Sequence, residues 1–234
     1  MSQIFLDKLF IPLFFIEEVF VASKKTDTLR MKRYGNRSMS GRFYKTRFFI
    51  VAEGSQTERD YLTILRCLFN IVITMPPADT HSAPNHLLKK AKDLYKYNEI
   101  GRSDEFWIIL DKDDWEVSKI NELQHWISSI GMMRRSGVVL SNPKFEYWLL
   151  LHFEEGYGVV TAKECDNRLK RWLKDYSKNL RQKDFTEDLI IAAIERSKNR
   201  AKHIKDLSSD DACTNMHELV EHIIAVSKTA PKKS

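Results

Sequence analysis

Asp104–Trp115 reads DEFWIILDKDDW. Its apolar run, Phe106 to Leu110, stops abruptly at Asp111, Lys112, Asp113 and Asp114. A short apolar run walled by charge on both sides reads as a strand buried on both faces, as in a parallel sheet. Ligands of open α/β sheets bind beyond the carboxyl ends of the strands, so this strand delivers a cluster of carboxylates to the edge that carries chemistry. Clustered carboxylates repel one another, and hard oxygen donors at this density suit Mg²⁺ or Mn²⁺. The same residues also have a plainer use, with Asp113 or Asp114 as the N-cap of the next helix.

Upstream, Phe48 to Ala52 (FFIVA) repeats the pattern between Arg47 and Glu53. Glu53-Gly54 follows, then SQTERDYLTILRCLF, with Tyr61, Leu62, Leu65 and Phe69 on one helical stripe. Ser55 or Thr57 is positioned to cap that helix, and Gly54 suits a turn with unusual backbone angles. Glu53 therefore ends one strand as Asp111 ends another, and neighbouring parallel strands bring such ends together. A β-branched run at Ile71 to Met75 closes with Pro76-Pro77. Residues 86–98 read as a helix, with His81 and His86 as surface histidines in or near the preceding loop. Another helix is expected over Trp115 to Ile130, with Val117, Ile120, Leu123, Trp126 and Ile127 inward and Gly131 as the stop. Val138 to Leu140 is a fourth strand. The alternation predicts a doubly wound, mostly parallel sheet flanked by helices.

SNPKFEYWLLLHF (141–153) reads as a helix capped by Ser141 or Asn142, with Pro143 in its first turn. Glu146 lies inside this apolar stretch. A carboxylate there is costly unless a cation or donor meets it, whereas on an amphipathic face it would point to solvent. His152 reads as a core or boundary histidine. From about 161 onward the chain is helical, over 161–174, 186–205 and 214–228, around a basic loop carrying Lys174, Lys178, Arg181 and Lys183. HELVEH (217–222) has the wrong spacing for either the HExxH or the HxxEH zinc motif.

The chain has 234 residues and a net charge of +6, with 43% hydrophobic and 30% charged residues. That charge mildly favours a polyanionic partner. Its three cysteines, Cys67, Cys165 and Cys213, form no CxxC pair, which argues against structural zinc or a disulfide framework and suits a reducing cytoplasm. Residues 1–43 are expected to be an N-terminal extension, and 44–230 one domain. The first part, MSQIFLDKLFIPLFFIEEVFVAS, is broken by Asp7, Lys8, Pro12, Glu17 and Glu18, so it neither spans a bilayer nor resembles a signal peptide. It reads as an amphipathic helix, or as a segment outside the working protein if translation starts at Met31. A basic arm follows, with Lys32, Arg33, Arg37, Arg42, Lys45 and Arg47 interleaved with Tyr34, Phe43 and Tyr44. Such an arm suits phosphates and unstacked bases, or is simply a solvated tail.

FFIVAEGSQTERDYL (48–62), DEFWIILDKDDW (104–115) and SNPKFEYWLLLHF (141–153) together resemble the RloB family of prokaryotic proteins. Their order, strand-Glu-Gly and then strand-DxDD, is similar to the TOPRIM domain of topoisomerases, primases and overcoming-lysogenization-defect nucleases. TNMHELVEHI (214–223) resembles the family's terminal helix, and Tyr176-Ser177-Lys178-Asn179 its lysine-bearing loop. The resemblance covers roughly 44–225. It implies a Rossmann-like TOPRIM fold and a cytoplasmic role in anti-phage defence beside a co-encoded AAA- or ABC-type ATPase. It also implies metal-dependent phosphodiester hydrolysis of DNA or RNA.

In that scheme Asp111 and Asp113 hold Mg²⁺ or Mn²⁺, Glu53 either shares a metal or takes the proton from the attacking water, and Asp114 is a further ligand. Glu146 completes the site, Lys178 neutralises the leaving oxygen, and Lys178 and Arg181 join the basic arm on nucleic acid. Two other readings stay open. A haloacid-dehalogenase phosphatase also has a strand ending in DxD, though on its first strand rather than its third. A non-catalytic nucleic-acid-binding or regulatory subunit of a defence complex would keep the fold alone.

Overall fold

Successive residues of the first strand serve different cores. The computed structural model describes residues 46–78, 84–112, 115–130, 136–174, 176–203 and 211–229. In β1 (Arg47–Ala52), Phe48 and Ile50 enter one hydrophobic cluster while Phe49 and Val51 enter another. β3 (Glu105–Asp111) divides in the same way, Trp107 and Ile109 against Phe106, Ile108 and Leu110. Side chains alternate across a strand, so an unbroken apolar run requires cover on both faces. Each large apolar side chain buried here contributes about 1.5–3 kcal/mol relative to exposure.

With β2 (Val72–Thr74), β4 (Gly137–Asn142) and β5 (Cys213–Thr214), the strands form one sheet in the order β2-β1-β3-β4-β5. The β1–β2, β1–β3 and β3–β4 pairs are parallel, and β4–β5 is antiparallel. One face is covered by α2 (Pro84–Tyr97) and α3 (Val117–Ser129). The other carries α1 (Thr57–Phe69), the short α4 (Phe145–Leu150), α5 (Ala162–Trp172), α6 (Glu187–His203) and α7 (Met216–Thr229). This is the expected mixed α/β, Rossmann-like arrangement, with a five-stranded, mostly parallel sheet. No helix among the described residues is long and apolar enough to cross a membrane.

Several local expectations are corrected. β5 was not anticipated. Pairing Ser141 with Thr214 and Asn142 with Cys213 keeps both residues in β4 rather than at a helix start. Their side chains are occupied too, Ser141 Oγ with Thr214 Oγ1 at 2.9 Å and Asn142 Nδ2 donating to the Asp211 carbonyl. α4 therefore begins only after Lys144. Val117, expected inward, is 57% exposed because it opens its helix outside the packed stripe of Ile120, Leu123 and Ile127.

α1 starts after Gln56 with no side-chain cap. Thr57 Oγ1 turns instead to the Lys178 carbonyl and the Tyr176 hydroxyl, each at 3.2 Å. His152 is the core histidine expected. Its Nδ1 lies 3.0 Å from the Trp148 carbonyl and its Nε2 3.0 Å from Tyr61 Oη. Because a carbonyl only accepts, Nδ1 carries the proton and Nε2 accepts from the tyrosine.

Candidate functional site

Parallel pairing puts the carboxyl ends of β1, β3 and β4 side by side. Glu53 and Asp111 meet there. Glu53 Oε2 accepts from the Asp111 backbone N–H at 3.2 Å, and Oε1 accepts from Trp115 Nε1 at 3.2 Å. Asp111 Oδ1 in turn accepts from the Phe145 N–H at 2.7 Å, at the start of α4. Two carboxylates are thus oriented by N–H donors from three segments, which fixes their direction. Arg59 and Lys90 line a shallow crevice with Glu53, Gly54 and Ser55.

Glu146, on α4, is buried rather than solvent-facing. Its Oε1 accepts from Tyr176 Oη at 2.8 Å, and its Oε2 lies 3.8 Å from Lys144 Nζ. Burial and the charge of Glu146 push the Tyr176 phenol above its ordinary value, so it stays a donor. Lys144 also pairs with Asp166 of α5 at 2.6 Å. Burial lowers the lysine pKa, but Asp166 and Glu146 outweigh it and hold the ammonium charged.

Sequence reading missed Glu58 and Lys144. Glu58 stands in the first turn of α1, where an acid is commonly explained by the helix dipole. It is only 5% exposed. Burial pushes its carboxyl up to about 7, and the charges of Glu146 and Glu53 push the same way against its own N–H and that of Gly54. A Cβ on Gly54 would stand 1.9 Å from Glu58 Oε2. The glycine is therefore explained by the carboxyl lying against it rather than by a left-handed backbone angle. The spacing from Glu53-Gly54 to an acid facing back from the first helical turn was the available signal.

The remaining predicted residues divide. Lys178 is exposed with φ +71°, and its carbonyl is held by Thr57. Lys144 is a lysine that does lie beside Glu146. Arg181 is exposed and bonds Asp184 through Nε at 2.9 Å. Arg47 is no member of a free arm. It opens β1 at the opposite edge, where its guanidinium clasps Asp104 at 2.6 Å. Burial raises the Asp104 carboxyl pKa, yet the Arg47 bonds outweigh it and hold the group below the usual range. In HELVEH, His217 Nδ1 lies 2.8 Å from Ser197 Oγ, whereas His222 Nδ1 lies 3.1 Å from Glu105 Oε2. The two histidines thus have different partners. Asp113, Asp114, His81 and the arm residues Lys32, Arg33, Arg37, Arg42 and Lys45 lie outside the described residues.

Carboxylate oxygens are the donor chemistry that Mg²⁺ or Mn²⁺ requires. Among the described residues, however, no three acidic, histidine or cysteine side chains come together closely enough to hold one ion. Of the carboxylates expected to hold an ion, Glu53 and Asp111 are the ones that lie among the described residues.

A family model described as RloB-like protein matches residues 48–223. No curated protein and no solved structure matches the chain.

Proposed function

We propose that this chain, which belongs to the RloB-like protein family, is a divalent-metal-dependent nuclease that hydrolyses phosphodiesters of DNA or RNA. The observation that carries the reading is the meeting of Glu53 and Asp111 across adjacent parallel strands, each carboxylate oriented by N–H donors. Glu53 and Asp111 would hold Mg²⁺ or Mn²⁺ together with Asp113 and, as a further ligand, Asp114. Such an ion, when bound, makes a water nucleophilic near neutral pH and offsets charge developing on the phosphate.

The chain's own groups supply the rest. The Phe145 N–H and Trp115 Nε1 keep the two carboxylates aimed before substrate arrives, which avoids reorganisation during reaction. Glu58, poised at about 7, can take up or release a proton at working pH. Lys144 brings a positive charge to Glu146. Tyr176 fixes the Glu146 carboxylate. Family resemblance supports a role in anti-phage defence beside a co-encoded ATPase, and the site itself speaks only to the chemistry.

The test is cleavage of plasmid DNA and total tRNA by purified protein in Mn²⁺ or in EDTA, beside Asp111→Asn. Cutting in Mn²⁺ that falls to background in the variant supports the nuclease and selects its substrate. Wild-type cutting by Asp111→Asn refutes the assignment. Binding without cutting, even with the ATPase present, makes the chain a non-catalytic subunit. A fluoride–metal adduct trapped on Asp111 would instead revive the phosphatase reading.

A further inference from the structure

Among the described residues, α5 carries more positive charge than its neighbours neutralise. Lys163, Lys170 and Arg171, with Lys174 just beyond, are exposed. Among the described residues, the nearby acids are already engaged. Glu154 accepts from Arg168, Glu164 from the Val160 N–H, and Asp166 pairs with Lys144. The open outer face of this helix presents Lys163, Glu164, Asn167, Arg168 and Arg171.

At the end of the same helix stands Trp172, 50% exposed. One face of its ring stacks on Phe153, with centroids 5.8 Å apart and planes 13° apart. Its edge is pinned, since Nε1 donates to Glu154 Oε2 at 3.2 Å. Phe153 packs against the main core, so the indole rests on a rigid base. Tyr157, 56% exposed, lies near by under the Arg200 guanidinium, 4.8 Å from its ring centroid, and its carbonyl accepts from Arg168. The indole stays half exposed despite these contacts. Held flat, stacked on one side and bordered by free cations, it matches the platforms on which proteins stack unpaired bases.

We propose that α5 and its flanks bind single-stranded nucleic acid, with Trp172 stacking a base and Lys163, Arg171 and Lys174 contacting the phosphates. The helix is tied to the carboxylate edge by one ion-pair chain, since Asp166 pairs with Lys144 and Lys144 lies 3.8 Å from Glu146. The inference deepens the nuclease reading by assigning the strandedness of its substrate. A duplex keeps its bases stacked on one another, so it can use the cations but not the indole.

The test measures binding of labelled oligo(dT) and oligo(U), and of a duplex of equal length, by fluorescence anisotropy in EDTA. Without a divalent ion, the measurement does not depend on cleavage. Trp172→Ala should weaken single-strand binding about tenfold or more and leave duplex binding nearly unchanged. Arg171→Glu with Lys174→Glu, both exposed, should weaken binding and flatten its salt dependence by about 0.7 in logarithmic slope per lost phosphate contact. Thermal melts of each variant establish that it folds. Wild-type single-strand affinity in either variant overturns the proposal, as does an equal loss for duplex and single strand on replacing Trp172. Asp111→Asn separates the two readings. If it cuts like wild type while the α5 variants lose binding, the nuclease assignment falls and the surface stands. If it loses cutting while those variants bind normally, only the surface falls.

Discussion

Replacing Glu58 by Gln should stabilise the protein, and should do so only as pH rises. The carboxyl is 5% exposed and titrates near 7 instead of 4.5, chiefly because burial penalises its charged form. A folded pKa above the unfolded one means that the folded state holds the proton more tightly between those values. The stabilisation is therefore complete below about 4.5 and is lost as pH rises through about 7. At about 1.36 kcal/mol per tenfold change in proton affinity, that gap corresponds to about 3 kcal/mol. Glutamine keeps the oxygen that accepts from the Gly54 N–H and never ionises. In EDTA, Glu58→Gln should therefore melt within a few degrees of wild type at pH 5 and clearly higher at pH 8. At about 2–4 °C per kcal/mol for a chain of this size, the advantage at pH 8 is about 6–12 °C. Thermal melts by circular dichroism across this pH range are the assay. A variant that melts below wild type at pH 8, or whose difference from wild type is the same at every pH, would refute the reasoning. Adding Mn²⁺ should narrow the difference, because a cation at Glu53 offsets part of the repulsion that raises Glu58.

Two further substitutions probe the same architecture. Gly54→Ala puts a methyl where the Glu58 carboxyl lies. The carboxyl must swing away, so stability should fall by about 1–3 kcal/mol and most of its pH dependence near 7 should vanish. Urea titrations in single and double variants with Glu58→Ala should show that the second change suppresses the first. Tyr61→Phe removes the hydroxyl that donates to His152 Nε2 inside the core. The histidine is held down to about 3 chiefly by burial, so it cannot protonate to compensate. The unsatisfied nitrogen should cost about 1–3 kcal/mol, read from the urea midpoint. An unchanged midpoint would show that the hydrogen bond contributes nothing net.

The regular elements were legible because each is written locally. Phe48 to Ala52 and Phe106 to Leu110 are apolar without interruption, and only a sheet covered on both faces accommodates such runs. Glu53 and Asp111 could be paired from sequence because they end two such strands, and parallel neighbours end at the same edge. Glu146 stood out as a charge in an apolar stretch, though what meets it did not. Tyr176 and Lys144 reach it from the loop after α5 and from the end of β4. The capping errors share one cause. Ser141, Asn142 and Thr57 are good helix caps by residue type, but distant partners claim their side chains.

Periodicity and the chemistry of strand ends are properties of a few consecutive residues, so the sequence alone determined the α/β class, the parallel strands and the acidic edge. Tertiary structure decided what depends on distance along no single segment. It made β5 a strand, since two residues carry no period of their own and gain one only by pairing with β4. It buried Glu58 against Gly54 and beside two other acids, and so moved an ordinary first-turn glutamate to a pKa near neutrality. It also tied Arg47 to Asp104 and brought Lys144 between Glu146 and Asp166. Burial and through-space charge act between residues that the chain order keeps apart, and the fold alone sets those distances.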